Sequence, residues 1–331
     1  GKLDCRLIVD KDYETYDNFI DTSYNGTIFH KTWWLNTICE CEKTYKVDYY
    51  GLFRDENLVS VFPVTYINKF NYKLIINPKI TPYSGPVYSN ENLDKRSTII
   101  SKSKEINTAC VEILKKYNVC LNYIFNLHLK DVQPYKWFNF NTNIHYTYIL
   151  TLEDIEKIWN DMDRKRRNEI KTYNKNSSDN EMRYGDIDAF IHLNNKTMER
   201  QNHFKISDKL WTNIYKESKI RDNCEIFTSY KDGVPVASLF LVWDNFSSYY
   251  IGGGINNNSE GAMSSLIWEA IKYSKLKLNR FRFDFEGSSV PSIEQYFRKF
   301  GGDLIPYFSV RSKNSELYFA INKLKNKIIN Q

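Results

Sequence analysis

The sequence has no apolar run approaching the roughly 20 residues that a membrane-spanning helix needs. Its opening residues also lack the apolar stretch of a secretory signal, so the chain reads as a cytoplasmic protein. Cysteines are few and unpatterned. Cys5, Cys39, Cys41, Cys110, Cys120 and Cys224 contain no C-x-x-C pair, and Cys39-x-Cys41 has no second knuckle, which leaves them as ordinary thiols of a reducing compartment. The five histidines, His30, His128, His145, His192 and His203, show no metal-ligand spacing, and G-x-S-x-G is absent. Zinc and serine-hydrolase chemistry are thereby disfavoured, and no metal is expected. Neither a Walker loop nor a G-x-G-x-x-G fingerprint occurs. The excess of 46 Lys+Arg over 40 Asp+Glu, +6, is small for 331 residues and weighs against nucleic-acid binding as the main role.

What the chain does have is aromatic content, 16%, within a hydrophobic share of 42%. That supports an ordered core, although abundant Asn and Lys bring mean hydropathy down to −0.56. The length suits two domains.

Helical periodicity is clearest at residues 104–117, through Ile106, Ala109, Cys110, Ile113, Leu114 and Tyr117, and at 262–273, through Met263, Leu266, Ile267, Ala270 and Ile271. A third helix is expected over 153–175, where Ile155, Ile158, Trp159 and Met162 precede the basic run 164–167. A short helix is expected from Ser292, where Gln295 completes a capping box. The sharpest strand is 280–286, whose phenylalanines alternate with Arg280, Arg282, Asp284 and Glu286. Hairpins are expected at 49–66, turning at 55–57, and at 225–243, turning at Asp232-Gly233.

These elements recur in one order. Hairpin, extended segment, helix, strand and an aromatic run (137–140, then 297–300) appear twice, displaced by about 160 positions, the mark of an internal duplication. The expected division is 1–149 and 150–331.

Three constellations bear on chemistry. Gly252, Gly253, Gly261 and Ala262 lie between a strand end and a helix start, where small residues let backbone N–H groups approach an anion; the alternative is a polar turn using glycine for its backbone freedom. The first half has Pro78, Pro82 and Pro86 at the equivalent place, and proline removes such donors. The first half thus reads as degenerate and acceptor-side, the second as donor-side. Asp284 and Glu286, running into Gly287-Ser288-Ser289, are positioned to orient or deprotonate an amine, or else to pair with arginines on a solvated face. Arg166 and Arg167 within the basic run suit a phosphate, or a solvated helix face.

Taken together, several segments resemble the FemABX aminoacyltransferases and the FemAB-like branch of the GCN5-related N-acetyltransferases. They are 28–34 with Trp34, 81–86 with Tyr83, 145–148, 164–171, 250–253, 283–287 and 297–302, spanning nearly the whole chain in the family's order. The resemblance implies an α/β (α+β) fold of two tandem acetyltransferase-like domains, each a mixed sheet with flanking helices. It implies transfer of an acyl or aminoacyl group to an amine of a cell-envelope, peptidoglycan-type precursor or a nucleotide sugar. The co-substrate would be acyl-CoA or aminoacyl-tRNA, with no covalently bound cofactor. A long charged coiled-coil insertion, present in tRNA-dependent members, is absent, which puts tRNA as a partner in doubt. On this resemblance Asp284, Glu286 and Lys299 are the candidate catalytic residues, with Trp34, Tyr83, Arg166, Arg167 and Arg298 as substrate contacts. Gly252, Gly253, Gly261 and Ala262 are the donor contacts. A non-catalytic binding module that keeps the FemAB-like fold is the alternative.

Overall fold

The computed structural model describes residues 2–88, 95–176, 179–287 and 290–329. Two compact units result, Gly1–His145 with Pro306–Gln331, and Tyr146–Ile305.

In the first unit the chain runs β1 (Leu3–Leu7), α1 (Tyr13–Thr22), α2 (Thr32–Cys41), β2 (Tyr45–Arg54), β3 (Asn57–Lys69), β4 (Tyr72–Ile76), β5 (Val87–Tyr88), α3 (Arg96–Leu114), β6 (Val119–Ile124) and α4 (Gln133–Trp137). β7 (Phe140–Thr151) carries it into the second unit. There follow α5 (Ile155–Asp161), α6 (Arg164–Lys175), β8 (Asn180–Tyr184), α7 (Ile187–Arg200), α8 (Asp208–Ile220), β9 (Cys224–Lys231), β10 (Val234–Trp243), β11 (Ser247–Ile255), α9 (Glu260–Lys272), β12 (Arg282–Asp284) and α10 (Pro291–Arg298). β13 (Asp303–Ser312) and α11 (Ser315–Ile329) return to the first unit. Residues 306–331 thus lie with the first unit rather than with 150–305, because Ser309 and Val310 pair with Ile124 and Tyr123 of β6.

The expected repetition is visible in the pairing. The first unit has an antiparallel run β2-β3-β4 with β6 parallel to β4; the second has β9-β10-β11 with β12 parallel to β11. A helix, α3 or α9, makes each parallel crossover, as parallel neighbours require. Both two-residue hairpin turns hold positive φ, Asp55 and Glu56 at 49° and 65°, Asp232 and Gly233 at 52° and 75°. These are the conformations that match the twist of the flanking strands. Each unit encloses its own core: one around Phe62, Cys110 and Phe125, the other around Leu241, Ile267 and Phe283.

The helix expected over 153–175 is two helices. Met162 is extended (ψ 144°), and Asp163 starts a new helix by accepting from the N–H groups of Lys165 (2.9 Å) and Arg166 (3.4 Å). Period alone does not reveal such a break, because the apolar stripe ends where the new cap begins.

His30 is fully buried in the first unit, its Nδ1 accepting from Thr27 N–H at 3.2 Å and lying 2.7 Å from Thr27 Oγ1. Burial lowers its pKa from 6.5 to about 4. The unfolded chain therefore binds this proton first. Stability should fall as pH drops from about 6.5 to about 4, by up to ~3 kcal/mol for this group at 1.36 kcal/mol per unit. Urea midpoints of the parent and a His30→Gln variant across that range check it. A parent whose pH dependence matches the variant's would remove His30 as the cause.

Candidate functional site

In the second unit the two parallel strands part. β12 pairs with β11 over three residues, ending at Tyr249 opposite Asp284. Beyond that point β11 stays with β10 as far as Ile255 opposite Ala237. The chain after Asp284 instead stays with β7: Phe285 N–H donates to Tyr148 O (3.1 Å), and Gly287 lies against Tyr146 and Thr147. Among the described residues no hydrogen bond joins 250–255 to 285–287. The two strands therefore separate at their carboxyl ends, a candidate crevice beside the start of α9, where open α/β sheets place ligands.

The bulge in β11 falls at this crevice. Phe240 faces Gly252 but Leu241 faces Tyr250, so Ile251 is the extra residue, and a bulge leaves its backbone groups outside the ladder. Tyr250 projects from the same place. Its hydroxyl would lie 1.8 Å from a Cβ at Gly253, so the glycine makes room for the phenol. Burial raises the Tyr250 pKa, with Tyr296 and Glu286 adding to the effect.

Asp284 and Glu286 are brought together here. Asp284 is 1% exposed; its Oδ1 accepts from Thr147 Oγ1–H and from Glu286 N–H, both at 2.7 Å. A solvated carboxylate face on this strand is excluded, because both faces of β12 are covered. Glu286 sits at φ 52°, an uncommon conformation for such a residue. Its Oε1 is buried with no hydrogen-bond partner. Burial, and then the charge of Asp284, push its pKa well above 4.5. A carboxyl with a buried, unpartnered oxygen at a strained backbone position makes Glu286 a candidate functional group. Ser288 and Ser289 lie outside the described residues.

The other residues singled out in the sequence are placed as follows. Arg166 is 5% exposed and turned inward: its guanidinium donates to Glu169, to Ser264 Oγ (2.8 Å) and to Tyr296 O (2.9 Å), and stacks 3.9 Å from the Tyr296 ring. It ties α6 to α9 and α10, while its Nε is buried without a partner. Arg167 is half-buried. Arg298 is exposed and 3.6 Å from Glu294; Lys299 closes α10, its carbonyl accepting from Asp163 N–H (3.0 Å). Trp34 and Tyr83 are interior to the first unit, at 0% and 1% exposure. Trp34 Nε1–H donates to Thr81 Oγ1 (3.1 Å), and Tyr83 stands edge-on to Tyr307 at 5.4 Å. Both serve packing and present no surface to a substrate; aromatic residues near a family motif cannot be sorted into core and site by sequence alone.

The glycines are likewise structural in part. Gly252 accommodates the rings of Phe190 and Trp211, and a Cβ on Gly254 would lie 2.2 Å from the Leu193 backbone. Gly254→Ala should therefore cost about 2 kcal/mol by forcing α7 off the sheet. A thermal melt within a degree of the parent's would mean that the helix yields freely. Gly261 and Ala262 occupy the first turn of α9, with Ala262 buried at 2%. Where α5 to α8 are capped by Asp154, Asp163, Asp186 and Ser207, the Ser259 side chain makes no cap bond to α9. The first amides of α9, like those of α10, have no side-chain cap.

In the first unit the corresponding gap is filled. Asn77 N–H donates to Asn122 O (3.2 Å), Ile124 N–H to Asn77 Oδ1 (3.1 Å), Ser84 N–H to Ile124 O (2.8 Å), and Ser84 bridges to Phe125. The proline-bearing segment 77–86 thus occupies the end of β6. Among the described residues no group of three His, Cys, Asp or Glu is placed to hold a metal, and no helix is long and apolar enough to cross a membrane.

Residues 164–298 match the family model described as an acetyltransferase (GNAT) domain, and with this fold and crevice the chain is an acyltransferase. Its fold is similar to that of FemX, whose crystal structure superposes with a TM-score of 0.72 at 14% identity over 96% of this chain and 99% of that one. The C-terminal domain of a putative lysylphosphatidylglycerol synthetase from Agrobacterium fabrum gives 0.59 at 9% identity over 95% and 96%. A tandem GNAT protein from the clavulanic acid biosynthesis pathway gives 0.53 at 6% over 94% and 98%. A search of curated proteins returns no match. The FemABX resemblance read from the sequence is met at the level of fold, tandem acetyltransferase-like halves included.

Proposed function

We propose that the second unit holds an acyl donor in the β11–β12 crevice and transfers its acyl group to an amine of a cell-envelope precursor or nucleotide sugar, with Glu286 as the base. The observation that carries this reading is the open crevice of the second unit beside the filled one of the first. Acyl-CoA is the favoured donor, since it is the general co-substrate of GNAT domains; its phosphates suit the uncapped amides at Gly261 and Ala262, and its acyl carbonyl suits the bulge at Ile251. The amine nitrogen attacks the acyl carbon, a C–N bond forms and the C–S bond breaks. The nitrogen proton passes to the Glu286 carboxylate, and the thiolate leaves. A preformed backbone N–H at the oxyanion is worth several kcal/mol in such a step. Arg166 acts at one remove, fixing the Tyr296 ring beside Tyr250.

Calorimetry with CoA, acetyl-CoA and tRNA, followed by thiol release against a panel of aminosugar nucleotides and peptide-bearing precursors, tests the reading. CoA binding with amine-dependent thiol release is expected. Turnover only with aminoacyl-tRNA would overturn the donor, and binding without turnover on any amine would favour a binding module. Because the charge of Asp284 adds to burial in raising Glu286, Asp284→Asn should move the rising limb of the pH–rate profile to lower pH. An unmoved limb would separate Asp284 from the base.

A further inference from the structure

At the other end of the same parallel strands, α9 runs into a π-helical turn, Tyr273–Lys277, before the chain enters β12. Leu276 at this turn is 70% exposed and Phe281 is 62% exposed. Phe281 stacks on Phe246 at 6.4 Å, and its N–H donates to Phe246 O (2.9 Å), so the knuckle is held firmly to the start of β11. Large apolar side chains held in water by an ordered backbone contribute nothing to the core, and a π turn often marks a functional segment.

The charge around them is of one sign. From Lys272 to Arg282 the sequence has five cations and no carboxylate. Lys272 pairs with Glu269, and Arg280 turns its guanidinium to Leu278 O. Among the described residues neither Lys275 nor Lys277 pairs with a carboxylate. Of the acids packed nearby, Asp244 is turned inward, accepting from Phe246 N–H, Ser247 N–H and Tyr249 O–H, while Glu217 and Glu225 are matched by Arg221 and Lys219. Asp222, near Arg280, is the remaining charge of opposite sign.

We propose that this knuckle docks on an anionic lipid bilayer, Leu276 and Phe281 entering the headgroup boundary and Lys275 and Lys277 meeting lipid phosphates. Leu276, the more exposed of the two, suits acyl chains and offers no stacking face to a nucleic-acid base, and the Phe281 ring is already stacked on Phe246. Docked so, the crevice opens at Tyr250 and Glu286, four to five residues or roughly 15 Å along the strands from Phe246 and Phe281, so the surface tethers the enzyme with the reaction site beyond the bilayer contact.

Flotation of the full chain with phosphatidylcholine vesicles, with and without phosphatidylglycerol, tests the proposal. Binding only with phosphatidylglycerol, weakened by salt, is expected. Leu276→Ser with Phe281→Ser, and separately Lys275→Gln with Lys277→Gln, should each weaken it about tenfold or more with an unchanged melting temperature. No flotation at low salt, or flotation equal in parent and variants, overturns the proposal. So does a Lys275→Gln/Lys277→Gln protein that loses tRNA binding while floating like the parent, which would make the surface one for nucleic acid.

Discussion

Glu286→Gln is expected to leave the protein folded while lowering kcat for amine acylation by about 100-fold or more, the scale of general-base assistance. KM for the donor should change little, which places the loss in the transition state. The same substitution has a stability signature of the opposite sense. A carboxyl whose folded pKa is raised contributes most below its unfolded value of 4.5 and loses that contribution as pH rises through the folded pKa. Glutamine has no proton to lose, so the variant should melt above the parent at neutral and alkaline pH, the gap closing toward pH 4.5. Single-turnover acyl transfer beside melts across pH decides both. Undiminished turnover would remove Glu286 from the reaction, whatever the melts show.

The second large effect is structural. Arg166→Gln removes one partner of a buried network, leaving Glu169 and Ser264 without their cation and the Tyr296 carbonyl without its donor. Breaking such a pair from one side costs about 3 kcal/mol, held to the lower end here because Glu169 is partly exposed. The phosphate reading of the basic run implied the reverse, lost phosphate binding with an unchanged melt. Arg167→Gln serves as the control, since that half-buried side chain lies outside the network. If Arg166→Gln melts with the parent and fails to bind donor, the inward packing is wrong.

The lines of the fold legible in sequence were those fixed locally. The two hairpin turns, the stripes of α3 and α9, and the repeated order of elements follow from turn chemistry and periodicity, which need only near neighbours. The carboxylates Asp284 and Glu286 were singled out from alternation and their approach to a turn. Their roles could not be told apart, because nothing in the alternation shows that Thr147 and the Glu286 amide occupy Asp284 while Glu286 Oε1 has no partner. Which Arg of the basic run turns inward was likewise not legible. A run of four cations has a periodicity that admits any face, and the break at Met162 that rotates Arg166 inward depends on a cap, not a stripe.

By itself the sequence determined the class of fold, the tandem arrangement, the unlike character of the two proline- and glycine-bearing segments and the family resemblance. Tertiary structure alone decided which unit is open. β11 keeps company with β10 while the chain after Asp284 keeps company with β7, whereas in the first unit segment 77–86 bonds across the end of β6. It also decided that Trp34, Tyr83 and Arg166 are interior. The physical reason is common to all of these. Burial and hydrogen-bond occupancy are properties of groups brought together from distant parts of the chain, and a side chain's pKa, its free lone pairs and its access to a ligand are set by those neighbours rather than by its own position in the sequence.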